Sequence, residues 1–131
     1  MVRFALDSST VSHALRNEGG AAARLRAIGP HPVVLPTVVV FEVRFGLLRM
    51  GRHRLQTSFE AMAAAMGAID FDAEAADHAA RIRAHLEARG TPVGLADLLI
   101  AATARRHGCM LVTHKTREFE RVPDLLLEDW Y

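Results

Sequence analysis

Three carboxylates stand where the surrounding residues leave little room for charge. Asp7 closes the alternating run Val2, Phe4, Leu6 against Arg3 and Ala5, at the carboxyl end of a predicted strand. Glu42 has Val38, Phe45 and Gly46 as its neighbours at helical spacing, so it rides an apolar stripe. Asp97 is the sole charged residue between Arg89 and Arg105, in the first turn of a helix, Leu95 to Ala102, that reads as apolar all round and therefore buried. A buried ionised carboxylate needs a partner or a metal. Each acid also has a purely structural reading. Asp7 before Ser-Ser-Thr suits a helix cap, Asp97 complements a helix dipole, and Glu42 can pair with an arginine. Three such breaks in one short chain favour a shared site. Carboxylates without nitrogen or sulfur ligands suit magnesium or manganese better than zinc. Such an ion keeps positions open for water and phosphate, activates the water and stabilises phosphoryl charge, which is the chemistry of phosphodiester hydrolysis.

The elements that must position these acids alternate. After the first strand, Ser8, Ser9 and Thr10 are expected to cap a helix through about Asn17, released at Gly19-Gly20. Val33 to Leu35 is a short strand between prolines, followed by a helix from Thr37 through Arg49 and, after Gly51, another over His53 to Met66. Ala68 to Phe71 reads as a third strand, and Asp72 caps a helix over Ala73 to Arg89 that Gly90 ends. Leu95 to His107 is helical, Met110 to Thr113 is a buried strand, and Leu125 to Leu127 is the last. Strands alternating with helices predict an α/β fold: a parallel sheet of four to five strands with helices on both faces. No repeat or linker divides the chain, so residues 1–131 read as one domain.

Composition excludes several classes. Half of the 131 residues are hydrophobic and 24% are charged, enough apolar material for a core and too little bias for disorder. No apolar run reaches the roughly 18–20 residues of a membrane-spanning helix, and the start Met1 to Asp7 does not fit a signal peptide. Cys109 is the one cysteine and can form neither an internal disulfide nor a thiolate zinc site by itself. The expectation is a soluble, cytoplasmic protein. A net charge of +1 implies no general attraction to nucleic acid; Lys115 is the only lysine among sixteen cationic side chains, and Arg44, Arg49, Arg52 and Arg54 read as a solvated helix end. His78 and His85 share a helical face without a third ligand, and His13, His107 and His114 read as single histidines. No phosphate-cradling glycine loop and no activated serine turn is present.

The acids also fall within longer matches. Phe4-Ala5-Leu6-Asp7-Ser8-Ser9 resembles the opening of PIN-domain ribonucleases, usually L-D-T-N. Phe41 to Leu47 around Glu42, Gly94 to Ala102 around Asp97, and Leu111 to Phe119 around Thr113 and Glu118 resemble their second, third and fourth motifs. The close from Arg121 to Trp130 resembles VapC-type toxins, so the likeness runs in order along the whole chain. The resemblance implies a single PIN-like domain acting as a magnesium- or manganese-dependent endoribonuclease, the toxin of a toxin–antitoxin pair. It also implies an RNA substrate, a cognate antitoxin lying across the active-site groove, and a homodimer. Carried over by position, it assigns Asp7, Glu42, Asp97 and Glu118 as the acidic set, with Asp7 and Asp97 as metal ligands and Ser8 and Thr113 as supports.

Two positions depart from the pattern. Ser9 stands where asparagine is usual, and Lys115 where asparagine or aspartate is common. A lysine beside carboxylates competes with a metal for them, or else points out to solvent or RNA phosphate. These departures keep two other readings in view: a PIN-fold module that binds nucleic acid or a partner with weak or no catalysis, and another metal-dependent phosphohydrolase.

Overall fold

The computed structural model describes residues 1–131. In chain order the elements are β1 (Phe4–Leu6), α1 (Ser8–Arg16), α2 (Ala21–Ile28), β2 (Val33–Pro36), α3 (Thr37–Met50), α4 (His53–Ala65), β3 (Gly67–Ile69), α5 (Ala73–Ala88), α6 (Leu95–Arg106), β4 (Met110–Val112), α7 (Thr116–Phe119) and β5 (Leu127–Glu128). The five strands form one sheet in the order β3-β2-β1-β4-β5, with every neighbouring pair parallel. Successive strand residues face opposite sides of a sheet. Ala5 and Leu6 in β1 and Leu111 and Val112 in β4 are all fully buried, so helices cover both faces at its centre. That is the expected α/β architecture, and it explains why these strands are apolar runs. No helix is long and apolar enough to cross a membrane.

The chain steps from β1 outward to β2 and β3, then returns to place β4 on the other side of β1. The direction of winding therefore reverses between β1 and β4, where open α/β sheets bind ligands at the strands' carboxyl ends. Leu6 pairs with Val112 in register, and the next residues of these two strands are Asp7 and Thr113.

Several boundaries differ from the sequence reading. The cap of α1 is Asp7, whose carboxylate accepts the Thr10 N–H, rather than Ser8, Ser9 or Thr10. Helix α2 was not expected between two glycine-marked turns. Eight residues are too few for a self-standing helix; the C-terminal segment holds it, through Gly20 N–H donating to Tyr131 O (2.6 Å), Arg24 over the Trp130 ring and Arg24 paired with Glu128. The single turn α7 has no side-chain cap and is too short for periodicity to mark. Strand β3 ends at Ile69 without Phe71, and β5 pairs only Leu127 and Glu128 with β4. The other capping expectations agree: Asp72 accepts the Ala75 N–H at 2.8 Å, and Gly51 and Gly90 take left-handed backbone after their helices.

The core-facing row of α3 is Val39, Val43 and Leu47, spaced by four residues. Phe41, Phe45 and Leu48 lie exposed, so Glu42 borders the core instead of sitting inside an apolar stripe. Arg44 is paired with Glu60 of α4 at 2.8 Å, while Arg52 and Arg54 are solvated as expected.

Candidate active site

Asp7 is held before any ligand arrives. Its backbone N–H still bonds Val112 O of β4 (3.1 Å), and its extended conformation turns the chain into α1. Its side chain is 1% exposed. Three donors compensate that burial: the Thr10 N–H to Oδ1 (2.8 Å), the Thr113 hydroxyl to Oδ2 (2.6 Å), and the Ser9 hydroxyl within 2.9 and 3.0 Å of both oxygens. An ionised carboxylate offers about four acceptor directions, so three protons leave about one free. Thr10, which the sequence reading treated only as a cap, also locks β1 to β4 through its hydroxyl on Val112 O (3.0 Å).

Thr113 links two parts of the site. It is fully buried, donates to Asp7 and accepts the Lys115 N–H at 2.9 Å, while its own N–H bonds Glu128 O of β5. Thr113→Val keeps the shape but removes both hydroxyl bonds. It is expected to destabilise the fold by about 1–3 kcal/mol. The urea midpoint should fall at unchanged slope, and Thr113→Ser should recover most of the loss. A valine variant with the wild-type midpoint would contradict this account of Thr113.

Glu42 and Asp97 approach from the neighbouring helices. The Ser8 hydroxyl donates to Glu42 Oε1 at 2.5 Å, and no group of the chain bonds the other oxygen. Asp97 lies in the first turn of α6 but is not buried as expected. Its side chain is 22% exposed because Leu95 at the start of the helix lies open to solvent, while burial begins at Leu98. Lys115, though about half exposed, reaches to Asp97, Nζ lying 3.4 and 3.5 Å from the two oxygens. Hydrogen bonds and adjacency thus join Glu42, Ser8, Asp7, Thr113, Lys115 and Asp97 around the β1 and β4 ends. Glu118, exposed on α7, bonds to none of them, and no three acidic, histidine or cysteine side chains come close enough to surround one ion.

Burial pushes the Cys109 thiol up, which keeps it protonated and unreactive. His13 and His114 are not single, since both rings pack on Tyr131, at 4.7 and 4.2 Å between centroids, and His114 Nδ1 lies 3.0 Å from Asp129. Burial pushes the Asp129 carboxyl up, but the Tyr131 N–H and the His114 ring together hold it below the usual carboxylate range. Only tertiary packing brings those residues together, and no local spacing signals it. His78 accepts from Arg105 at 2.9 Å, a structural role.

Residues 4–125 match the PIN domain. The tRNA(fMet)-specific endonuclease VapC of Shigella flexneri is 33% identical over 99% of both chains, and that of Salmonella typhimurium is 30% identical over the same share. The crystal structure of DNA-bound VapBC from Salmonella typhimurium contains a chain that superposes with a TM-score of 0.90 at 31% identity, covering 100% of both. A chain of VapBC2 from Rickettsia felis, bound to a DNA fragment from the promoter, superposes with a TM-score of 0.88 at 25% identity, again over 100% of both.

Proposed function

This chain belongs to the PIN-domain family, and from that premise we propose that it is a metal-dependent endoribonuclease, the toxin of a toxin–antitoxin pair. The observation that carries the reading is Asp7, a buried carboxylate fixed by three donors at the point where the sheet's winding reverses, with Asp97 and Glu42 joined to it through Lys115 and Ser8.

Magnesium is commonly held by one or two carboxylates with water and substrate phosphate completing its shell, so a cage of three acids is not required. The donors here fit that pattern: oxygen atoms only, with Asp7 retaining an acceptor direction and Asp97 open to solvent on one side. Asp7 and Asp97 would hold the ion, and magnesium or manganese would supply Lewis-acid activation of water and neutralisation of phosphoryl charge. Ser9, Thr10 and Thr113 fix the orientation of Asp7. Glu42, held by Ser8 through one oxygen, has the other free to accept a proton from water. Glu118, exposed on α7 and bonded to none of these groups, would act on the ion only through water.

RNA is the proposed substrate, and initiator tRNA is the first to test because relatives of full-length similarity bear that specificity in their names. The VapBC complexes support an antitoxin partner. The homodimer is supported by Phe41, Phe45 and Leu48 on α3 with Leu95 on α6, all more than half exposed, an apolar patch that a second copy would cover.

The Lys115–Asp97 pair favours the second reading, a binding module with weak metal affinity. Cleavage assays separate the two. Initiator tRNA, an unstructured RNA and DNA of the same sequence are incubated with magnesium or manganese, with EDTA, and with metal restored in excess. RNA cut only when metal is present is the expected result. RNA bound but never cut would leave the binding module; DNA cut as well as RNA would point to a broader phosphohydrolase.

A further inference from the structure

Helices α1 and α3 run side by side and open a cleft of about 200 Å³ that begins at the acidic site. Each helix contributes a row spaced by four residues: Ser8, Ser12 and Arg16 on α1, and Glu42, Gly46 and Met50 on α3. The rows meet at both ends, where Ser8 donates to Glu42 and Arg16 Nη2 lies 4.0 Å from Met50 Sδ. Between them the cleft is open, because a Cβ built on Gly46 would meet nothing within 4 Å. Arg16 and Glu42 line the same cleft without pairing with each other, and no other carboxylate pairs with Arg16. Five of the fifteen arginines, Arg24, Arg44, Arg81, Arg83 and Arg106, sit on carboxylates, and of the ten that do not, Arg16 is the one that lines this cleft. A cation suits the last turn of α1, but the helix dipole does not account for a guanidinium turned across the cleft onto α3.

We propose that Arg16 is a substrate-positioning residue, whose guanidinium binds a backbone phosphate of the RNA strand that the cleft leads away from the acids. The inference rests on the nuclease reading for its substrate class. From Ser8 to Arg16 the helix rises eight steps, about 12 Å. Arg16 therefore engages a phosphate displaced along the strand from the bond being cut. A guanidinium matches two phosphate oxygens at once, and the Ser12 hydroxyl in mid-cleft offers a further donor.

The test is fluorescence anisotropy of a labelled single-stranded RNA oligonucleotide with the full chain in EDTA, which measures binding without cleavage. Arg16→Gln should weaken binding roughly 10-fold and reduce the slope of log affinity against log salt by about 0.7. Arg16→Lys should keep the salt slope while losing part of the affinity. Gly46→Leu, which fills mid-cleft with a better helix former, should also weaken binding. Arg89→Gln, a charge removed from an exposed site at the end of α5, is the control and should change neither quantity. Equal affinity and slope for Arg16→Gln and Arg89→Gln would overturn the proposal, whatever the chain cleaves. Binding that depends on Arg16 in a chain that cuts no RNA in magnesium or manganese would uphold the contact and reject the nuclease reading alone.

Discussion

Asp7→Asn is expected to reduce RNA cleavage by roughly 10²- to 10³-fold, because it removes the anion at the centre of the proposed metal site. The substitution is nearly isosteric, and asparagine caps helices as well as aspartate, so the Thr10 N–H keeps its acceptor. The cost falls on the other oxygen. An amide NH2 in its place meets the Thr113 hydroxyl at a position now 2.6 Å away, and that hydroxyl loses its acceptor. About 1–3 kcal/mol of stability follows from one broken buried bond. Cleavage and melting should therefore be measured on the same preparation. A folded variant that cuts initiator tRNA at the wild-type rate would remove Asp7 from the reaction.

Asp97→Asn should be nearly as damaging to cleavage, by roughly 10²-fold, and nearly silent in stability. Asp97 is partly open and its partner Lys115 is about half exposed, so the ion pair contributes at most about 1 kcal/mol to folding. Lys115→Asn works in the opposite sense. Nζ occupies both Asp97 oxygens at 3.4 and 3.5 Å, and a divalent ion must displace it. Releasing that carboxylate should lower the magnesium concentration for half-maximal binding by up to roughly fivefold. Titration calorimetry on the Lys115→Asn chain checks this directly. An unchanged midpoint would mean that the lysine is no competitor and that the pair is a feature of the metal-free surface.

Asp7, Glu42 and Asp97 were legible in the sequence because each breaks a local pattern, whereas Glu118 came only from the resemblance. Asp7 ends an alternating strand, and Asp97 interrupts a charge-free stretch of helix. Their surroundings were less so. The hydrophobic row of α3 read as the one containing Val38 and Phe45, yet the buried row is Val39, Val43 and Leu47. Adjacent rows on an apolar helix are equally plausible until a neighbour selects one. Helix α2 was missed for the same reason, since its stability comes from residues 128–131 more than a hundred positions away.

Periodicity, turn residues and the order of four motifs were sufficient, from the chain of residues alone, to determine an α/β domain of the PIN type and to single out Asp7, Glu42, Asp97 and Glu118 as candidate acids. Those signals are local, or compare one stretch with another, and need no knowledge of contacts. What the tertiary structure alone decided was the state of those acids. It set the three donors on Asp7, the pairing of Lys115 with Asp97, the lack of any bond from Glu118 to the other acids and the cleft that ends at Arg16. Each depends on side chains from distant segments meeting at distances of a few ångströms. Hydrogen bonds and ion pairs fall off steeply over such distances, and sequence spacing does not specify them.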